Sequence, residues 1–287
     1  EGYAGGDGGD VDLYASDGTV TINASITTAG GTGGSPGGDG GAVDIYSDDA
    51  ITINAAIDTS GGQGSDYGNS GGGAGDIAIV SGEYYGPGGG DVAVNAALTA
   101  EGGAGIDGAE GGAGGNVYVG SYDGNTDFSA GATVSSSGGA GFFGGDAGRI
   151  LIGAGAYETG SGNVVIGDTL TAAGGDGTIY GGDGGDIDVY SYDGAITLNG
   201  AVDSSGGAGS YGGGDGGRID VEAYYGDAIN VNASLNSSGG SIDGGEGSAG
   251  DGGRIDIDTY YGDVTLAAGA TINSSGGDAT SNYNAYG

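Results

Sequence analysis

GGDGGDIDVY, from Gly181 to Tyr190, joins a glycine–aspartate turn to a short run in which Ile187 and Val189 alternate with Asp188. Close copies are GGDGGDVDLY from Gly5, GGDGGAVDIY from Gly37, GGDGGRIDVE from Gly213 and GDGGRIDID from Gly250. Looser ones are GGGAGDIAIV from Gly71, GGAGGNVYVG from Gly111 and GGDAGRILIG from Gly144. The eight copies recur at intervals of 32 to 40 residues, a period typical of solenoids and propellers. Alternation after the turn is the mark of a strand with one buried face.

The rest of each repeat follows the same plan. The first strand carries inward pairs such as Val43/Ile45, Ile150/Ile152 and Ile255/Ile257. A turn rich in Tyr, Asp and Gly leads to a second strand, with pairs such as Val20/Ile22, Ile196/Leu198 and Val264/Leu266. A shorter third strand is centred on residues such as Ile26, Val202 and Ile272, and ends in small residues such as Ser204-Ser205-Gly206-Gly207. Three strands with one apolar face each cannot bury that face alone. Stacked as successive coils they bury it in one column and pair every strand with its equivalents above and below. The expected fold is therefore all-β: a parallel β-helix (β-solenoid), right-handed by the rule for parallel crossovers, of about eight coils of three short strands with Gly-rich variable loops on one edge. Propeller blades need four antiparallel strands and do not fit. The whole chain reads as one solenoid with repeats at 5–36, 37–70, 71–110, 111–143, 144–180, 181–212, 213–249 and 250–287. The fourth repeat lacks a clean second strand; Phe128 is expected to fill its core slot, with a bulge at Ser129-Ala130-Gly131. The first turn is expanded at Ser81–Gly90 and at Gly153–Gly162.

Composition sets limits. Among 287 residues there are 80 Gly, 3 Lys+Arg and 39 Asp+Glu, for a formal charge of −36. Such a chain invites a reading of disorder, but the regular placement of Val and Ile argues for ordered β structure. Cys, His, Met and Trp are absent, which removes disulfide, thiolate and imidazole chemistry. No apolar run approaches the length of a membrane span. The charge disfavours nucleic acid and anionic lipid as partners. The chain opens at Glu1 with neither a Met nor a signal-peptide pattern, which reads as a processed mature form or an excerpt.

In a stack the acidic residues align. Asp12, Asp44, Asp188, Asp220 and Asp256 share an outward strand position; Asp7, Asp39, Asp183, Asp215 and Asp251 share a turn position. Unit charges one coil apart repel by about 0.9 kcal/mol even at the dielectric of water. Such columns either recruit cations, with Ca²⁺ the match for carboxylate and carbonyl oxygens, or form a solvated face that keeps the rod soluble. The turn resembles the GGxGxDxUx calcium-binding nonapeptide of RTX proteins: GGDGGDIDV matches its glycines and aspartate. That resemblance implies calcium at the Gly-Asp turns. The overall order of GGDGG, strand, turn, strand and SSGG is similar to the repeat regions of filamentous haemagglutinin-like surface adhesins, over nearly the whole chain. It implies a secreted β-helical surface protein.

All three cations, Arg149, Arg218 and Arg254, stand just before a first strand, where Asp10, Asp76 and Asp186 stand in other repeats. From there a guanidinium could bridge the two flanking Asp columns, in place of a metal ion. Tyr190, Tyr192, Tyr224, Tyr225, Tyr260 and Tyr261 define an aromatic stripe near the first turn, suited to stacking against carbohydrate or a neighbouring rod, or to covering a turn. Sequons at Asn23, Asn232, Asn236 and Asn273 could carry glycans. The acids are spread evenly with no singular cluster to mark a catalytic site, and the Gly-rich turns lack the Lys and helix of a phosphate loop. An ice-binding column of Thr21, Thr52, Thr197 and Thr265 is interrupted by Ala93, Val165 and Asn230.

Neither end shows the polar or helical cap a solenoid normally carries. The expected function is therefore that of a non-enzymatic extracellular structural protein, partnered by copies of itself end to end. A monomeric Ca²⁺- or glycan-binding adhesin module is the alternative, and a polysaccharide-degrading β-helix enzyme the third.

Overall fold

The computed structural model describes residues 3–34, 36–65, 68–82, 89–155, 161–225, 228–243 and 247–280. The middle of each expanded first turn, at 83–88 and 156–160, falls outside them.

The chain is an all-β parallel solenoid of about seven turns, built on three eight-stranded sheets. The first sheet contains, in spatial and sequence order, Val11–Ala15, Val43–Ser47, Ile77–Ser81, Val117–Ser121, Ile150–Ala154, Ile187–Ser191, Ile219–Ala223 and Ile255–Thr259. The second contains Val20–Ile22, Ile51–Ile53, Val92–Val94, Thr126–Phe128, Val164–Ile166, Ile196–Leu198, Ile229–Val231 and Val264–Leu266. The third is made of two-residue strands from Ile26–Thr27 to Ile272–Asn273. Pairing is in register throughout these sheets, so like stacks on like: Ile150, Ile187, Ile219 and Ile255 form one unbroken row. A slip of one residue would turn every inward Ile or Val outward.

The three inward faces meet in a single column in which Ile45, Ile53, Leu98, Ile166 and Val231 are all fully buried. Phe128 fills its slot as expected, at 1% exposure. Its strand is regular, with Thr126 beside Val92 and Val164, and Phe128 beside Val94 and Ile166. The expected bulge after it is instead a tight turn: Ala132 donates its N–H to Ser129 O at 3.0 Å. Gly131 takes φ 96° there, a left-handed value open to glycine at little cost.

Along the described part of the Gly-rich edge the backbone packs in rows. Its N–H groups rotate with a period of three, as in polyproline II geometry. Gly37 donates to Ser70 O and Gly40 to Gly73 O, both in the next coil. Gly38 donates sideways to Gly31 O and Gly41 to Thr28 O, on the run that closes the preceding coil. Asp39 and Ala42 donate outward, to the carboxylates of Asp7 and Asp10. The sideways bonds form a zigzag between two glycine rows, continuing as Gly62 to Gly38, Gly72 to Gly62 and Gly103 to Gly72, and on to Gly277 to Gly250. Within this lobe most coil-to-coil backbone bonds point N–H to the later coil, as from Gly5 to Pro36, Gly71 to Glu110, Gly144 to Tyr180 and Gly216 to Asp251; a few, such as Ser65 to Gly33 and Phe142 to Ala109, run the other way. Short extra pairs, Gly141–Phe143 with Gly177–Tyr180 and Ile242–Asp243 with Ala279–Thr280, add a partial fourth side. Three strands per coil therefore describes the core and not this edge.

Such packing leaves no room for a Cβ. One added at Gly112 would stand 1.9 Å from Gly72 O. Gly112→Ala should cost about 3 kcal/mol by forcing the rows apart. Gly18→Ala, where nothing lies within 4 Å, should change stability by less than about 0.5 kcal/mol. Denaturant unfolding of the two variants tests the contrast.

Candidate functional site

The period of three decides what the aspartates do. One N–H in three points outward, and the carboxylate of the preceding coil accepts it. Asp7 accepts from Asp39 at 3.0 Å and Asp39 from Gly73 at 2.7 Å. Later Asp146 accepts from Asp183, Asp183 from Asp215 and Asp215 from Asp251, at 2.8, 2.7 and 2.7 Å. The turn column is thus a hydrogen-bond ladder. A second ladder runs just before the first strand: Asp10 accepts from Ala42, Asp76 from Asn116 and Asp186 from Arg218. In that ladder Asn116 Oδ1 also accepts from Arg149 N–H at 3.0 Å. A third, before the second strand, passes from Asp91 to Asn125 to Asn163. Asn can replace Asp on these rungs because a neutral amide oxygen still meets the requirement, which is an acceptor. No group of three or more acidic side chains gathers around one point among the described residues.

The outward strand column is different. Asp12 and Asp44 stand side by side in register. Burial raises the Asp44 carboxyl above its ordinary value, and the charges of Asp12, Asp10 and Asp76 push it the same way. Farther along, the arginines enter this column. Arg149 reaches one strand forward to Asp188 at 2.6 Å. Arg218 holds Asp188 at 2.6 Å with one amino group and Asp220 at 2.8 Å with the other. Asp188 is left 7% exposed, a charge whose removal from water is offset by two guanidinium partners. Burial still raises the Asp220 carboxyl, outweighing Arg218. Arg254 binds Asp256 through Nε at 2.6 Å. The bridging expected between two columns takes place within one: among the described residues, every arginine ion pair is to Asp188, Asp220 or Asp256.

The tyrosines divide into two uses. Tyr190 lies over Gly153, where an added Cβ would meet its ring at 2.0 Å. Beside it Tyr118 is partly buried, and this desolvation pushes its hydroxyl well above the usual range. With Arg149, Arg218 and Tyr224, Tyr190 lines a cleft of about 350 Å³. The other use is stacking along the axis: Tyr192 lies 5.1 Å from Tyr225, and Tyr225 lies 6.1 Å from Tyr261, centroid to centroid. Tyr260 and Tyr261 are exposed. A second aromatic ladder, Phe143–Tyr180–Tyr211, climbs the glycine edge with centroid spacings of 5.6 and 5.5 Å. The repeat pattern hides this ladder, because its members sit in segments of unequal length.

The sequon asparagines belong to side-chain ladders. Asn54 donates to Asn23 and Asn95 to Asn54. Asn232 donates to Asn199, Asn236 to Asp203 and Asn273 to Asn236. A signal was available, since Asn23, Asn54, Asn95, Asn199 and Asn232 each directly follow a second strand. The threonine column stacks in register, interrupted also by Asp127.

At the two ends the interior is less covered. Val264, Leu266 and Ile272 of the last strands are 41%, 46% and 45% exposed. Val11, Leu13, Val20 and Ile26 at the other end are partly buried and pack on the core. The described residues contain no helix long and apolar enough to cross a membrane. No protein-family model matches the chain, and no curated protein matches it with significance.

Two outcomes test the ladders. Asp183→Asn keeps the acceptor and should leave the melting temperature unchanged or raise it at low salt. Asp183→Ala removes the acceptor and should cost about 1 kcal/mol. Raised carboxyls such as Asp44 bind a proton more tightly folded than unfolded. The stability this contributes is present at low pH and lost as pH rises through the raised value. Calorimetry should therefore show the melting temperature rising as pH falls from 7 toward the carboxylate range.

Proposed function

We propose that the chain is a structural protein, without enzymatic activity, that stacks head to tail into an extracellular filament or forms a segment of a longer surface stalk. The observation that carries this reading is the exposure of Val264, Leu266 and Ile272. Their equivalents Ile229, Val231 and Leu235, one coil earlier, are fully buried. Added to them is a row of ladder groups with no partner strand beyond it among the described residues, a ready template for another parallel strand. One more coil of the same kind satisfies both needs, and the first coil of a second copy is such a coil. A heterologous contact that does not close on itself propagates as a filament.

Lateral contacts with neighbouring filaments or surface polysaccharide fit the aromatic ladders, whose flat faces combine apolar area with a polar tip. The cleft beside Tyr190 and Arg218 favours a second reading, a glycan-binding module. Calcium on the acidic columns would add rigidity to either assembly.

Negative-stain microscopy of the purified protein tests the reading. The expected result is rods far longer than the roughly 40 Å that eight strands span at their usual spacing, with and without a chelator. Short rods at high concentration would overturn the filament. Long rods that shorten on chelation would make calcium part of the assembly.

A further inference from the structure

The outward face of the first sheet is charged differently at its two ends. Near the first strand the position before it is Asp10, then Ala42. Asp12 and Asp44 therefore adjoin with no guanidinium from their own coils. Three later coils carry arginine at that position. Arg149 reaches one strand forward, to the Asp188 paired with its own coil's Leu151. Arg218 holds Asp188 and Asp220, on two adjacent strands, at once. Arg254 sits in the last coil, its side chain 75% exposed, and its one ion pair among the described residues is to Asp256 of the same strand.

We propose that Arg254 is the polar lock of the end-to-end contact: it bridges Asp256 to Asp12 of a second copy of this chain. The inference rests on the filament reading and assigns its register. Continuing the first sheet by one step sets Ile255 against Val11, Asp256 against Asp12 and Ile257 against Leu13 of the second copy. The same step sets Val264 against Val20 and Ile272 against Ile26, so the exposed apolar residues of one end cover those of the other. Arg254 then has the placement that Arg149 has toward Asp188, one strand forward. The raised carboxyl of Asp44 fits this picture, since a cation beside Asp12 would relieve the pair. Charge also selects polarity. A contact between two first coils would oppose Asp12 to Asp12, and one between two last coils Arg254 to Arg254. Head to tail instead sets Arg254 beside Asp12, opposite signs at matching positions.

Charge exchange in the full chain tests the lock. Arg254→Asp and Asp12→Arg should each raise the concentration needed for filament growth by about tenfold or more. Both residues are exposed, and unchanged circular dichroism and melting would show that the variants fold. The two variants mixed in equal amounts should grow filaments again, because every contact in an alternating copolymer then pairs Arg with Asp. The double variant should also assemble alone. Growth of Arg254→Asp at the wild-type concentration, or failure of both the mixture and the double variant, would overturn the lock and leave the filament standing. Absence of filaments in the wild type would remove both.

Discussion

The solenoid depends on two glycine rows approaching until peptide touches peptide. With Cβ atoms absent, the run that closes each coil and the run that opens the next hydrogen-bond directly, as from Gly72 to Gly62 and from Gly112 to Gly103. The apolar column alone is narrow, a handful of Ile, Val and Leu residues per coil. It closes on the glycine side only because the backbone there acts as a wall with its own hydrogen bonds. That wall orders the turn into each first strand, so the placement of Ile187 or Ile219 follows from Gly182 or Gly214 packing correctly.

A wall of this kind creates a need for acceptors. Its period of three aims one N–H in three away from both glycine rows, and these meet the side-chain oxygens of Asp7, Asp39, Asp183 and Asp215. Much of the acidic composition is the result of repeating that need in coil after coil. Where the outward strand column adds further carboxylates, arginine enters and holds Asp188 and Asp220. Neutral Asn116, Asn125 and Asn163 meet the same need on other rungs without charge.

The core was legible because its code is local. Alternation at Val43/Ile45 or Ile187/Val189 gives the inward face, and the repeat gives the stacking partner. Phe128 could be placed because its slot is defined by Val94 and Ile166 on either side. The glycine edge was not legible, since glycine is as common in loops as in close backbone packing and has no side chain to show which. The same limit turned Ser129-Ala130-Gly131 into a bulge on paper and a tight turn in the structure. Of the candidate site residues, the aspartate columns were found by register, but their donors are backbone groups that no side-chain pattern reveals. Arg149 and Arg218 share one position just before a first strand, while the column they serve depends on side-chain reach.

The prevailing sense of the coil-to-coil bonds in the glycine lobe has an electrical meaning. Aligned peptides add their dipoles as they do in a helix, leaving partial positive charge where N–H groups point out and negative charge at the other end. The forward majority of these bonds puts the positive end of the lobe's backbone dipole at the last coil, which carries Arg254, and the negative end at the first, which carries Asp12. Two such rods placed in line reinforce one another like magnets end to end.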